Sequence, residues 1–118
     1  MSERRILVIN PNSTLAVTDG LDTAMSCFRA GGQFVIDCAT LAEGPPGIES
    51  QRDADGVVAP LMKLMREREA QYDAFVIACY SDPGIHSLRE MSKKPVLGIA
   101  ECGLMTAMTL GQRIGVSV

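Results

Sequence analysis

Aromatic residues are scarce in this sequence: it has no tryptophan, two tyrosines, three phenylalanines and a single histidine among 118 residues. Because 47% of the residues are still hydrophobic, the core must come from aliphatic side chains and methionine. The length suits one compact domain. No apolar run approaches the ~18 residues of a membrane span, and the charged first residues do not form a secretory signal.

The chain also lacks a strong charge of either sign. Its 11 basic and 14 acidic residues leave a net charge of -3, and no basic stripe interleaved with aromatics occurs. These features argue against nucleic-acid and membrane partners. We therefore expect a soluble, cytoplasmic protein.

Paired cysteine motifs are absent as well. The four cysteines stand far apart, with no CxxC pair: Cys27, Cys38, Cys79 and Cys102. This spacing argues against a disulfide framework and against a zinc site, so we predict no metal. Isolated thiols in such a chain behave mostly as small hydrophobes.

Strand-like and helix-like segments alternate along the chain. The apolar runs "RRILVIN", "QFVIDCAT", "YDAFVIACY" and "KPVLGIA" predict four buried strands. The segments between them predict helices, one from Thr14 to the glycines at 31 and 32, and a long one from Ser50. This pattern predicts a doubly wound parallel sheet in a three-layer α/β/α domain, with a flavodoxin-like 2-1-3-4 strand order over residues 1–111.

Ligands of such sheets bind beyond the carboxyl ends of the strands, at the switch point between strands 1 and 3. Here these ends carry "NPNST" and "CYSDPG", and the strand 2 end adds "EGPPGIES". A helix that begins after Gly84 favours negative charge and a thiolate nearby. Cys79 is therefore the one cysteine whose surroundings favour a reactive thiolate. A cysteine that ends a strand is nevertheless commonly only a small apolar residue. The other three are predicted to be structural, with Cys27 and Cys38 in or near the core.

For other residues in these loops, the sequence allows either a functional or a structural role. His86 is a general base or an exposed residue of a first helical turn. Asn10 and Ser13 hold the turn and cap the helix, or they also contact ligand. The loops do exclude some doubly wound enzymes: Ile85 stands where a low-molecular-weight phosphatase needs arginine, and "NPNST" is no dinucleotide-binding GxGxxG motif.

The blocks "ILVINPNST", "EGPPGIES", "FVIACYSDPG", "PVLGIAECG" and "QRIGVSV" resemble, in order and over the whole chain, the Asp/Glu/hydantoin racemase superfamily, in its hydantoin and allantoin racemase branch. The resemblance implies cofactor-independent racemisation of a 5-substituted hydantoin or allantoin-like ring. In this reaction one cysteine removes a proton next to a carbonyl, and a second cysteine donates one to the opposite face.

By resemblance, Cys79 occupies the position of the family's first catalytic cysteine. The family's substrate-binding positions correspond to five residues: Asn10, Pro11, Ile48, Tyr80 and Ser81. The backbone after the cysteine would hold the substrate carbonyl and the developing enolate. Ile48 would form the wall around the substrate side chain.

The resemblance also implies two similar domains with the site between them. Residues 112–118 would then be the first strand of a second domain that this chain lacks, and the second cysteine would lie there. We expect a homo-oligomer. Two alternatives remain open: a decarboxylase or cis-trans isomerase of the same superfamily, and an inactive half-domain that only binds a ligand or a partner.

Overall fold

The computed structural model describes residues 3–117. Four parallel strands form one sheet in the order β2-β1-β3-β4, which confirms the predicted fold class and strand order. The strands are β1 (Arg4–Asn10), β2 (Phe34–Thr40), β3 (Ala74–Ile77) and β4 (Val96–Gly98).

Two of the predicted helices are interrupted in the structure. The helices are α1 (Leu15–Ala24), α2 (Ser26–Arg29), α3 (Gln51–Gly56), α4 (Val58–Arg68), α5 (Ile85–Met91) and α6 (Ile99–Leu110). Each of the first two predicted helices is thus divided, at Met25 and at Val57. The predicted cap at Ser50 is confirmed, because its Oγ accepts the Asp53 N–H at 3.1 Å. In return, Asp53 accepts the Glu49 N–H at 3.0 Å.

The main core lies between the sheet and the helices α4 and α5. Parallel strands with right-handed connections place these helices on one face of the sheet and α1 on the other. Alternate strand residues therefore enter the core, together with one face of α4 and α5. The fully buried members of this cluster include Leu7, Ile9, Leu61, Met65, Phe75, Ile77 and Leu88.

The opposite face of the sheet is less well covered. Helices α1 and α2 contact β1 and β2 there. On β4, Leu97 is 44% exposed, and on β3, Val76 is only half-buried. The expectation of a sheet covered on both faces therefore holds for β1 and β2 and only in part for β3 and β4.

The predicted burial of Cys27 is wrong. Its side chain is exposed, and that of the adjacent Phe28 is 61% exposed. The exposed apolar positions are not confined to the residues after Met25, because Val17 is 42% exposed and Ala24 is exposed as well. The side of α1 and α2 that faces the sheet instead carries Met25 and Arg29, both half-buried. Helix α1 buries Thr18 and half-buries Leu21.

Residues 112–117 contain no assigned strand, and Val118 lies outside the described residues. That these residues begin a second domain stays a prediction. Within residues 3–117, no helix combines the length and apolar character needed to cross a membrane.

Candidate functional site

Strands β1 and β3 bring two of the predicted loops to the same edge of the sheet. Ile9 pairs with Ile77, and the Ala78 N–H donates to the Ile9 carbonyl at 2.8 Å. Adjacent strands lie about 4.8 Å apart. Asn10 and Cys79 therefore leave neighbouring strands side by side, as the switch-point prediction requires.

The Asn10 side chain is 1% exposed and is engaged within its own loop. Its Nδ2 donates to Asn12 Oδ1 at 2.8 Å, to the Thr14 carbonyl at 3.3 Å and to Thr18 Oγ1 at 3.1 Å. Its Oδ1 accepts the Asn12 N–H at 3.2 Å. Because this amide is fully used inside the protein, Asn10 holds the turn, and direct contact between Asn10 and a ligand stays a prediction.

The proline loop after β2 is fixed against the loop after β1. The Ser13 N–H donates to the Pro45 carbonyl at 2.8 Å, and Thr14 Oγ1 donates to the Pro46 carbonyl at 2.6 Å. Gly44 lies so close that a Cβ atom there would be 2.5 Å from the Pro11 carbonyl oxygen. The structure therefore brings the first and second predicted loops together at the buried Pro11.

Ile48 lies in the same proline loop and is half-buried. Its side chain packs against the main core. Its contact with a substrate side chain stays a prediction.

Cys79 lies two residues beyond the end of β3, in the first position of a tight turn. Its side chain is half-buried, and its Sγ is 3.5 Å from Ser81 Oγ. The Asp82 N–H donates to the Cys79 carbonyl at 3.0 Å and closes the turn. Tyr80 and Ser81 form the exposed middle of this turn. Among the hydrogen bonds of the described residues, their two N–H groups donate to no acceptor.

Sequence reasoning assigned no role to Asp82, which follows this turn. Its φ of 47° makes it the one non-glycine residue at positive φ among residues 3–117. Its carboxylate accepts the Ala100 N–H at 3.0 Å and the Glu101 N–H at 2.8 Å. These donors are 18 and 19 residues away, so no local pattern could have revealed the contact.

The remaining candidates lie outside the turn that carries Cys79. His86 is exposed in the first turn of α5, and Cys102 is exposed on α6. Cys38 is half-buried within β2, where burial raises the pKa of its thiol and the nearby Asp22 raises it further. Within residues 3–117, no group of three or more histidine, cysteine or acidic side chains is arranged to hold a metal ion.

Two surface depressions lie at opposite edges of the sheet, one of them near the carboxyl ends of the strands. One of about 400 Å³ adjoins the cysteine turn and is lined by Ser81, Asp82, His86 and Glu101, among others. One of about 770 Å³ lies at the opposite edge, beside Arg5, Phe34 and Tyr72. The smaller depression is the relevant one, because ligands of parallel α/β sheets gather at the carboxyl ends of the strands.

Comparison with known proteins gives consistent matches to one family. A family model for Asp/Glu/hydantoin racemases matches residues 6–117. A hydantoin racemase of Pseudomonas sp. (strain NS671) is 41% identical over 114 residues, which are 95% of this chain and 45% of that protein. A hydantoin racemase of Rhizobium meliloti is 37% identical over 94% of this chain and 46% of its own length.

A solved structure agrees with these sequence matches. The allantoin racemase from Klebsiella pneumoniae superimposes with a TM-score of 0.83 at 35% identity, over 91% of this chain and 44% of its own. This chain thus spans about half the length of the relatives it matches. The match of the family model across nearly all of the sequence establishes that the chain belongs to the Asp/Glu/hydantoin racemase family.

Proposed function

We propose that this chain forms one half of a cofactor-independent racemase and supplies one of its two catalytic cysteines, Cys79. The substrate is a 5-substituted hydantoin or an allantoin-like ring. Family membership and the names of the relatives support the reaction class and the kind of substrate. The coverage of about half of each relative supports a second contributing half.

The observation that carries the proposal is the setting of Cys79 at the switch point of the sheet. Its thiol is half-buried at the carboxyl edge, beside the loop that follows β1. Cys27 and Cys102 are exposed on helices, and Cys38 lies inside β2. Cys79 is therefore the cysteine placed where a doubly wound domain binds its ligand.

The chemistry follows from a proton that is acidified by an adjacent carbonyl. The Cys79 thiolate removes the proton from C5 of the ring, and the electron pair moves to the carbonyl oxygen at C4 as an enolate. The N–H groups of Tyr80 and Ser81, which donate to no protein acceptor here, stabilise this developing charge. A second thiol then delivers a proton to the opposite face of C5, which inverts the centre.

The second thiol does not come from within this half. Cys102 is exposed on α6 and Cys38 lies inside β2. Neither occupies the loops that converge at the carboxyl edge near Cys79. One thiol on one face can exchange the C5 proton with solvent, but it cannot invert the centre by itself.

Deuterium exchange separates these two steps. The 118-residue chain is incubated in deuterium oxide with an L-5-substituted hydantoin. Proton NMR follows loss of the C5–H signal, and optical rotation follows inversion. We expect accelerated exchange without a matching loss of rotation. Cys79→Ser should lower the catalysed exchange by about 100-fold, the usual scale for loss of a general base.

Cys27→Ser is the matched control, because it removes an exposed thiol on a distant helix. It should exchange at the wild-type rate. Unchanged exchange in Cys79→Ser, or equal losses in both variants, would contradict the assignment of Cys79.

A further inference from the structure

We infer that Asp82 is a positioning residue for Cys79, because its carboxylate ties the turn that carries the thiol to the first turn of α6. The inference rests on the proposed function, since the position of this turn has chemical consequences only if Cys79 carries the proton.

The Asp82 carboxylate is held by two backbone donors from a distant part of the chain. Oδ1 accepts the Ala100 N–H at 3.0 Å and Oδ2 accepts the Glu101 N–H at 2.8 Å. The first N–H groups of a helix have no acceptor within it, and the positive end of the helix dipole attracts a carboxylate. Hydrogen bonds to a charged acceptor are among the stronger ones in proteins. Each carboxylate oxygen therefore has its own donor, which fixes the orientation of the side chain.

The same residue is connected directly to Cys79. The Asp82 N–H donates to the Cys79 carbonyl at 3.0 Å and closes the turn that contains Tyr80 and Ser81. Its own carbonyl accepts the Ile85 N–H at 3.3 Å. A shift of Asp82 would therefore displace both the thiol and the two N–H groups proposed to hold the enolate.

The backbone around the contact is adapted to it. Asp82 has a φ of 47°, a conformation that is unfavourable for a residue with a Cβ atom. Gly98 faces the carboxylate, and a Cβ atom there would lie 2.3 Å from Asp82 Oδ1. The contact therefore requires glycine at position 98 as well as aspartate at position 82.

The first turn of α6 is itself braced against neighbouring elements. Arg89 of α5 donates to the two carboxylate oxygens of Glu101 at 3.0 and 3.2 Å, and its Nε donates to the Val96 carbonyl at 3.0 Å. The hydrogen bond from Arg89 lowers the pKa of Glu101, so this pair stays charged at neutral pH. Asp82 is consequently anchored to a helix start that is itself linked to α5 and to β4 through Arg89.

Three variants probe the contact in different ways. Asp82→Ala removes both acceptor oxygens. Gly98→Ala keeps the aspartate and its charge but forces the carboxylate away. Asp82→Asn removes the charge, keeps one acceptor oxygen and tolerates the left-handed conformation.

Ser92→Ala is the matched control. It also removes two hydrogen bonds, one from Ser92 Oγ to Glu69 at 2.9 Å and one from the Lys94 N–H at 3.1 Å. These bonds lie just before β4, at the opposite edge of the sheet. The control therefore costs stability without touching the cysteine turn.

Two measurements are made on each variant. The first is kcat and KM for C5 deuterium exchange. The second is the iodoacetamide labelling rate of Cys79 relative to the exposed Cys27, read by mass spectrometry. Circular dichroism and thermal unfolding monitor the fold.

We expect Asp82→Ala and Gly98→Ala to lower kcat by about 100-fold, the scale of a small misplacement of a reacting group. KM should remain near the wild-type value. Both should also change the ratio of Cys79 to Cys27 labelling, because a half-buried thiol becomes more or less accessible when its turn moves. Asp82→Asn should fall between these variants and wild type, and Ser92→Ala should match wild type in both measurements despite a lower Tm.

A wild-type kcat and labelling ratio in folded Asp82→Ala would overturn the inference, and so would equal losses in Ser92→Ala. If Gly98→Ala does not fold, the variants Asp82→Ala and Asp82→Asn still test the positioning role of Asp82. If the wild-type chain exchanges no C5 proton, the proposed function fails. The labelling ratio then tests the positioning role by itself, and an unchanged ratio in Asp82→Ala refutes it.

Discussion

At the scale of single residues, burial and hydrogen bonding give similar side chains different roles. Asn10 and Asn12 stand two positions apart, yet Asn10 is enclosed and makes four side-chain hydrogen bonds to Asn12, Thr14 and Thr18, whereas Asn12 is half-buried. The same holds for the two tyrosines. Tyr72 is buried and donates to Asp37, while Tyr80 is exposed at the cysteine turn.

Tyr72 should make the stability of the protein fall at alkaline pH. Burial raises the pKa of its hydroxyl, and the hydrogen bond to Asp37 at 2.6 Å raises it further. The unfolded chain therefore releases this proton first, at about pH 10. Above that pH the folded state holds more protons than the unfolded state, so the free energy of unfolding decreases as pH rises.

Urea unfolding at several pH values measures this effect. Tyr72→Phe should lose about 1 kcal/mol at pH 7, the usual net value of a hydrogen bond. The variant should also show a shallower decline above about pH 10. The same alkaline slope in the variant and in wild type would contradict the role of Tyr72.

At the scale of elements, loops rather than helix faces determine the shape of the carboxyl edge. The loops after β1 and β2 are joined by backbone hydrogen bonds and by the close approach of Gly44 to Pro11. The turn after β3 is joined to α6 through Asp82. The carboxyl edge thus consists of two fixed units, one on each side of the switch point between β1 and β3.

Gly44→Ala should disturb the first unit. A Cβ atom there would lie 2.5 Å from the Pro11 carbonyl oxygen and 3.2 Å from that of Leu41, so the backbone of the loop must move. We expect a loss of about 1–3 kcal/mol in the free energy of unfolding, as for other overpacking substitutions. Urea unfolding measures this loss.

Gly47→Ala, in the same loop, is the control. A Cβ atom there would meet only Glu49 Oε1, at 3.8 Å, so its stability should stay near that of wild type. Equal stability of the two variants would show that the approach of Gly44 to Pro11 is not a constraint.

At the scale of the whole molecule, several elements expose large apolar side chains, and α6 carries three of the most exposed ones. Met105, Met108 and Leu110 are 62%, 68% and 84% exposed. Leu97, on the poorly covered face of the sheet, adds to this surface. An exposed apolar area of this kind favours association with another protein surface.

The isolated chain should therefore associate with itself and should not racemise as a monomer. Under the proposed function, racemisation needs an acid and a base on opposite faces of C5, and this chain offers one suitable thiol. A two-fold dimer could set two copies of Cys79 across one cleft. Sedimentation velocity and loss of optical rotation of an L-5-substituted hydantoin, both followed against protein concentration, test this.

The double variant Met105→Gln and Met108→Gln should weaken association with little change in Tm, because both side chains are exposed. Met65→Ala, in the core, should instead lower stability by about 2–5 kcal/mol. Full racemisation by a strictly monomeric chain would contradict the two-thiol mechanism.

The sequence by itself was sufficient for the fold class, the strand order and the loops that meet at the carboxyl edge. Short apolar runs, helix caps and turn residues are local signals, and the handedness of parallel connections then restricts the topology. The sequence also made Cys79 the candidate catalytic cysteine, since it directly follows an apolar run at a predicted switch point, and this role stays a prediction. The cap at Ser50 could also be predicted from the sequence, because its partner Asp53 is only three residues away.

Other features were decided only by the tertiary structure. Cys27 and Phe28 are exposed although the apolar spacing continued through Phe28, and Val17 on the same predicted face is exposed too. In the sequence, Asp82 is an ordinary turn residue. Only the folded sheet places the start of α6, which follows β4, within hydrogen-bonding distance of it. Helical spacing reports which residues share a face, but what covers that face depends on contacts between segments far apart in the chain. Those contacts form only once strand register has fixed the position of each loop.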